Sequence, residues 1–217
     1  EFAYNNKLRM DIGLRYEYNQ QKLNSYTFTN DPISVKKPQH IVLPSVNIGY
    51  NITKKMIIRA AYGMSTNRPE FREIAPFGYY DFNISYVIKG NPNLKNCTIH
   101  NVDLKWEYYP SAGEVINVAA FYKRFNNPIE MFTRDLGNRT FSFQNAKRAD
   151  VYGVEVEIRK NFTRATNFLK DFGIVANASY IYSRVRLDSV QAIGQSNHRP
   201  LQGQSPYVAN AGIFYNN

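Results

Sequence analysis

Carboxylates two residues apart on an extended segment are an obvious place to look for chemistry. Glu155 and Glu157 form one such set, and Asp103, Lys105 and Glu107 form another. Paired carboxylates can divide general-acid and general-base work between them. At this spacing they also share one face of a strand, and a wet face with alternating charges produces such pairs with no catalytic role. Ser196 and His198 in "GQSNHRP" have the residue types of a nucleophile and its base. No local oxyanion or elbow motif accompanies them, so the segment reads as a polar loop. His40, His100 and His198 are far apart, and Cys97 is the single cysteine. A cysteine-rich metal site or an intrachain disulfide framework is therefore excluded. His100 falls on the apolar phase of its segment and reads as an interfacial histidine. No enzyme, cofactor or metal centre is expected. The stretch "RPEFREIAPFGYYDF" differs, because Arg68 and Arg72 stand near Phe77, Tyr79 and Tyr80. Aromatics beside arginines can stack on sugar rings or clamp acidic groups. These five are the candidate substrate-binding residues, with a loop folded onto its neighbours as the competing reading.

The elements that must carry these residues are strands. In "KLRMDIGLRYEY" Leu8, Met10, Ile12, Leu14, Tyr16 and Tyr18 alternate with Lys7, Arg9, Asp11, Gly13, Arg15 and Glu17. A period of two over twelve residues is about twice the usual strand length. The pattern recurs in "SVNIGYNI", "MIIRAAYGMS", "VDLKWEYY", "VINVAAFYKRF", "VYGVEVEIRK", "FGIVANASYIYS" and "YVANAGIFY". About eight strands are predicted, with no convincing helix between them. The connections alternate in length. "NQQKLNSYTFTNDPISVKKPQH" reads as a long polar loop, and so does everything from "TNRPEF" to "LKNC". The segment 126–150 is long too, with a hairpin expected around Gly137 and Asn138. "NITK" and "PSAGE" are tight turns. Compact soluble domains rarely keep repeated structureless loops of this length, whereas membrane β-barrels combine short turns at one rim with long loops at the other.

Aromatic placement agrees. The chain is rich in aromatics, with 17 tyrosines and 14 phenylalanines, and many of the tyrosines fall at strand ends. Tyr16, Tyr18, Tyr62, Tyr122, Tyr180, Tyr182 and Tyr207 lie toward long loops. Tyr50, Trp106, Tyr108, Tyr109, Phe172 and Tyr215 lie toward short ones. Two belts with aliphatic residues between them match the girdles of a lipid-facing surface. Ten residues tilted by about 40° rise roughly 25 Å, the height of the apolar band. No apolar run reaches the length of a transmembrane helix, and "EFAYNN" does not have the form of a signal peptide. A soluble β-sandwich would alternate as well, but with shorter runs and shorter loops. The net charge of +10 admits nucleic acid as a partner. The basic residues are spread along the chain without a nucleic-acid-binding motif, so outer-membrane lipid is the expected partner and nucleic acid is not.

Five stretches carry a family resemblance: "STNRPEFREIAPF" (65–77), "GNPNLKNCTIHNVDLKWEYYP" (90–110), "VAAFYKRFNNPIE" (118–130), "NAKRADVYGVEVEIRKNF" (145–162) and "LQGQSPYVANAGIFY" (201–215). In order and spacing the chain resembles the carboxy-terminal barrel of TonB-dependent outer-membrane receptors, in the form common in Bacteroidetes-type bacteria. The resemblance implies a large plugged barrel of 22 strands that takes up a bulky nutrient of unknown class. It also implies coupling to the TonB system through a plug region and a surface lipoprotein as a further partner. Residues 1–217 are then expected to form a partial, all-β, antiparallel up-and-down barrel without its plug, with further strands beyond "IFYNN". Inward charges such as Arg9, Arg15, Glu17, Lys105, Glu107, Glu155, Glu157 and Arg159 suit a wide, watery lumen rather than a closed eight-stranded interior. A non-transporting structural or adhesive barrel and a soluble carbohydrate-binding β domain are the alternative functions.

Overall fold

Long alternating segments satisfy their backbone only by pairing with neighbours of equal length, and the computed structural model shows this pairing. It describes residues 2–4, 7–26, 30–135, 140–163, 168–187, 196 and 198–215. A short β1 (Phe2–Tyr4) pairs with the start of β2 (Leu8–Tyr26), followed by β3 (Pro32–Thr53) and β4 (Met56–Asn67). The next connection holds α1 (Phe71–Ile74), β5 (Gly78–Asp81) and β6 (Tyr86–Lys89). The meander resumes with β7 (Cys97–Tyr108) and β8 (Val115–Asn126). A second connection carries β9 (Ile129–Asp135) and β10 (Thr140–Asn145). The remaining strands are β11 (Arg148–Asn161), β12 (Phe172–Arg186), β13 (His198–Arg199) and β14 (Tyr207–Tyr215). The main sheet runs β1-β2-β3-β4-β7-β8-β11-β12, with β13 and β14 on the far edge of β12. Eight of these strands are long, as the sequence predicts.

Register carries the expected faces from strand to strand. Directly opposed residues lie on the same side of an antiparallel sheet. Ile12 opposes Val46, then Tyr62, Val102, Tyr122, Tyr152 and Tyr182 follow in one row. A second row runs Leu8, Tyr50, Ile58, Trp106, Val118, Val156, Ala178 and Ala209. The opposite face carries Arg9, Gly49, Arg59, Lys105, Ala119, Glu155 and Ser179. Outward Ile12, Leu14 and Ile213 are 70%, 75% and 79% exposed. A contiguous face of such exposed apolar side chains, running from strand to strand, is the pattern of a lipid-facing surface.

The sequence reading of 19–40 as a loop is corrected. Residues Asn19 to Tyr26 and Pro32 to His40 remain in β2 and β3, paired from Asn19–Gln39 to Tyr26–Pro32. The period of two persists there, but its phase inverts. Beyond Tyr18 and His40 the outward residues are Lys22, Asn24, Ser34 and Lys36, all exposed, and the inward ones are Leu23, Ile33 and Val35. The same inversion occurs in β11, where Ala149 and Val151 turn inward and are buried while Arg148 and Asp150 turn outward. In the membrane the greasy face looks out; above it the outside is water, so the greasy face looks in. A search for one continuous apolar face therefore stops at the change of solvent.

The inverted region holds the core. Ile74, Ala75, Ile88, Leu94, Cys97, Ala146, Ala149, Val151 and Val185 are the buried hydrophobics among the described residues, and all lie at the long-loop end. The two long connections build one small sheet there, in the order β5-β6-β10-β9. Its central pairing, β6 with β10, is parallel (Thr140 opposite Val87, Ser142 opposite Lys89) and joins connections distant in sequence. The expected hairpin is present as β9–β10, but its turn at Gly137 and Asn138 lies outside the described residues. The "PSAGE" turn is tight, and Gly113 takes φ +74° there, a conformation that L side chains resist.

Gly90 fixes the small sheet against α1. A methyl group at this position would stand 2.1 Å from the Ala75 carbonyl oxygen and 2.6 Å from that of Arg72. Backbone atoms cannot yield as a side chain does, so Gly90→Ala should destabilise the outer layer by about 1–3 kcal/mol. In the membrane-inserted protein, limited proteolysis should then cut within 68–96 more readily, while barrel assembly is unchanged. Unaltered protease resistance would show that the packing relaxes at no cost.

Candidate functional site

Alternation leaves polar side chains on the inward face of the main sheet, and the structure pairs most of the charges found there. Glu107 is buried between the Arg59 guanidinium at 2.9 Å and the Lys105 ammonium at 3.0 Å. The Tyr109 hydroxyl also donates to Glu107, at 3.2 Å. Tyr109 therefore turns toward the lumen and is the exception to the short-turn aromatic belt. Glu157 accepts a hydrogen bond from the Asn117 amide at 2.9 Å. Of the carboxylates with catalytic spacing, Glu107 and Glu157 are thus engaged with neighbouring cations and an amide along the inward face. Ser196 is exposed, and the His198 side chain lies outside the described residues. The His100 ring accepts or donates at 2.9 Å with the Tyr62 hydroxyl, and His40 does so with Tyr16 at 2.6 Å. Both histidines belong to the aromatic belt. Among the described residues no cluster of three metal-binding side chains is assembled.

The mouth of the lumen is organised by the tall β2–β3 hairpin. Its inward face grips the 68–96 connection through polar contacts. The Gln21 amide donates to the Pro69 carbonyl at 2.7 Å, and the Gln39 amide donates to Asn96 Oδ1 at 2.8 Å. The Lys37 ammonium donates to the Leu94 carbonyl, and burial holds this ammonium below the usual lysine range. Arg68 forms an ion pair with Glu17. Cys97 sits at the start of β7, with its thiol pushed up to about 11 by burial, and so lacks the thiolate character that reactivity requires. Glu130 is buried with Arg199 at 2.6 Å. Burial outweighs the arginine there and holds the carboxyl above its ordinary range.

The five candidate residues divide between two roles. Arg68 is tied to Glu17 and joins the connection to β2. The Arg72 guanidinium lies 5.6 Å from the Tyr79 ring centre, a cation–π contact on one face of β5. Tyr80 points from the other face and meets Phe82 edge-on, with ring centres 5.0 Å apart. Phe77 and Tyr80 are exposed. Phe77 also lines an open hollow of about 470 Å³ between the hairpin tip (Ser25, Tyr26, Ile33) and the small sheet (Pro76, Gly78, Lys89). The sequence reading missed the hairpin's part in this hollow, because the phase inversion hid Ile33 and the residues around it. The only signal in the sequence was the pair Ile33 and Val35, apolar residues two apart.

A sheet with one lipid-facing side, two aromatic belts, a charged opposite face and tall loops at one rim defines a membrane β-barrel. The chain matches, over residues 1–217, the family described as TonB dependent receptor-like, beta-barrel. It belongs to that family, whose members are outer-membrane receptors and transporters of Gram-negative bacteria. Solved structures of similar fold include the copper transporter OprC, with TM-score 0.70, 15% identity, and coverage of 100% of this chain and 31% of that one. A second is the hemophore receptor HasR of Serratia marcescens, in complex with its hemophore HasA and heme (TM-score 0.68, 14% identity, 97% and 39% covered). A third is the siderophore receptor PirA of Acinetobacter baumannii (0.63, 15%, 97% and 29%). The chain spans between a quarter and two-fifths of the length of the structures it resembles. No curated protein sequence matches it.

Proposed function

We propose that these 217 residues form part of the barrel of a TonB-dependent transporter that moves a bulky nutrient inward, with energy reaching it through a plug region. The observation carrying this reading is the whole-chain family match, joined to a charged inward face and a hollow at the long-loop rim. Phe77, Tyr79, Tyr80 and Arg72 are the proposed nutrient contacts, with Arg68 holding their connection to β2. Surface aromatics and a guanidinium suit a ring-bearing or acidic cargo. The similar structures are named for heme with its hemophore, siderophores and copper, so those cargoes are the first to test. A surface lipoprotein is the proposed partner at the exposed loops.

The test uses the complete gene. Cells carrying it should take up one of these cargoes, or a glycan or peptide, in a TonB-dependent manner. Replacing Phe77, Tyr79 and Tyr80 together by Ala should raise the half-saturating concentration about tenfold or more, since each aromatic contact contributes roughly 0.5–1.5 kcal/mol. Uptake that ignores the triple replacement would remove the loop from the binding site. Uptake that persists without the TonB system would reject the transporter reading.

Orientation is open to a separate check. Tags in 78–85 should be labelled on intact cells, and tags at Thr53 or Ser111 only after the outer membrane is opened. Each strand crossing switches sides, so the two rims cannot share a compartment. Surface labelling at Ser111 would invert the scheme.

A further inference from the structure

The small sheet at the long-loop end presents one polar face. Gly78, Lys89, Ser142 and Phe132 oppose one another in a single row across β5, β6, β10 and β9. Gln144 lies two residues beyond Ser142, hence on the same face, and directly opposite Glu130. Pro76 and Lys89 bound the hollow that Phe77 lines. The same two residues bound a second hollow of about 430 Å³, which Phe132 and Gln144 also line. Together the two form a cleft with Lys89 at the junction and an aromatic ring in each half.

Two polar groups in this cleft have no protein partner. Lys89 is half-buried, and among the described residues no carboxylate lies within ion-pair distance of its ammonium. Gln144 Oε1 is enclosed and accepts no hydrogen bond from the described residues. A cation and an acceptor left unpaired both cost free energy as water is withdrawn from them. Their neighbours are paired. Glu130 is closed by Arg199 at 2.6 Å, and the Ser142 hydroxyl donates to the Lys89 carbonyl at 2.8 Å.

We propose that the cleft binds an acidic oligosaccharide, with a sugar carboxylate on Lys89 and a hydroxyl donating to Gln144 Oε1. Rings on either side of that carboxylate would cover Phe77 in one hollow and Phe132 in the other. A porphyrin carries both carboxylates on one edge, so no charge falls between two ring-filled hollows. A compact metal chelate fills one hollow and leaves the other open. A neutral glycan leaves Lys89 unpaired. A chain of uronate sugars has a carboxylate on every ring, hydroxyls to donate, and apolar ring faces to lay on aromatics. The inference rests on the nutrient site proposed above and names its cargo. Binding is measured without the TonB system, so it is decided separately from transport.

The test is isothermal titration calorimetry on the full-length receptor in detergent, with assembly checked by its heat-modifiable gel shift. The probes are tetragalacturonate, tetramannuronate and a hyaluronan tetrasaccharide, each beside its methyl ester. At least one tetramer should bind about tenfold more tightly than its ester, the scale of one hydrogen bond to a charged group. Lys89→Gln should remove about tenfold of that affinity and change ester binding by less than about twofold. Lys89→Arg keeps the charge and should stay within about threefold of the parent. Phe132→Ala should lose about fivefold. Lys54→Gln, at the short-turn rim, should bind like the parent. The inference is overturned if no tetramer binds, if the esters bind as well, or if Lys89→Gln binds like the parent. A penta-glutamate peptide that binds more tightly than every tetramer overturns it too, in favour of an acidic peptide. The ester comparison needs no variant, so it decides the question even where Lys89→Gln does not assemble.

Discussion

Arginine placed at Ile12, Leu104 or Val154 should cost assembly about 2–4 kcal/mol per site, the penalty for a cation near the bilayer midplane. Arginine at Asp103 or Glu155 should cost far less. Leu104 and Asp103 are neighbours on one strand and Val154 and Glu155 on another, so propensity and local context are nearly matched. Only the face differs. Ile12, Leu104 and Val154 are 70%, 54% and 48% exposed on the outward side, whereas Asp103 and Glu155 lie on the row shared with lumen-facing neighbours. The heat-modifiable gel shift of the full-length barrel measures the assembled fraction directly. Equal losses on both faces would mean that the outward surface does not meet lipid.

The 217-residue polypeptide, expressed by itself in plain buffer, should fail to form a stable monomer. The main sheet is open: β2 is covered by β1 only at Leu8, Arg9 and Met10, and β13 with β14 form the other edge. Edge backbone groups invite pairing with further strands, and in hydrocarbon they cannot remain unsatisfied. The outward face also carries contiguous exposed Ile, Leu, Val and Tyr from β2 to β14, well beyond the patches a soluble monomer shows. Rolling these strands into a closed barrel would crowd Arg59, Lys105 and Glu155 into an interior barely wide enough for packed side chains. Light scattering and far-UV circular dichroism without detergent should report β-rich assemblies. A monodisperse monomer that unfolds cooperatively would contradict the open sheet and favour a soluble β domain.

The membrane part of this protein was legible residue by residue. A strict period of two reports which side chains share a face, and lipid demands that one face be apolar along its whole height. Leu8 to Tyr18, Val46 to Ile52 and Val102 to Tyr108 therefore announced their direction before any pairing was known. The strand count and the short turns followed from the same rule. What lies above the membrane was not legible, for two physical reasons. Water replaces lipid outside the sheet there, so Ile33, Val35, Ala149 and Val185 turn inward and the apolar phase inverts. A reading that follows one greasy face then takes the tops of β2 and β3 for a loop. The second reason is distance along the chain. The parallel pairing of Val87 and Ile88 with Thr140 and Phe141 leaves no periodic trace in either segment, since neither contains its partner. Tertiary structure alone decided that two separate connections share one sheet. It also decided that Arg68 is bound to Glu17 and that Phe77 borders a hollow completed by Tyr26 and Ile33.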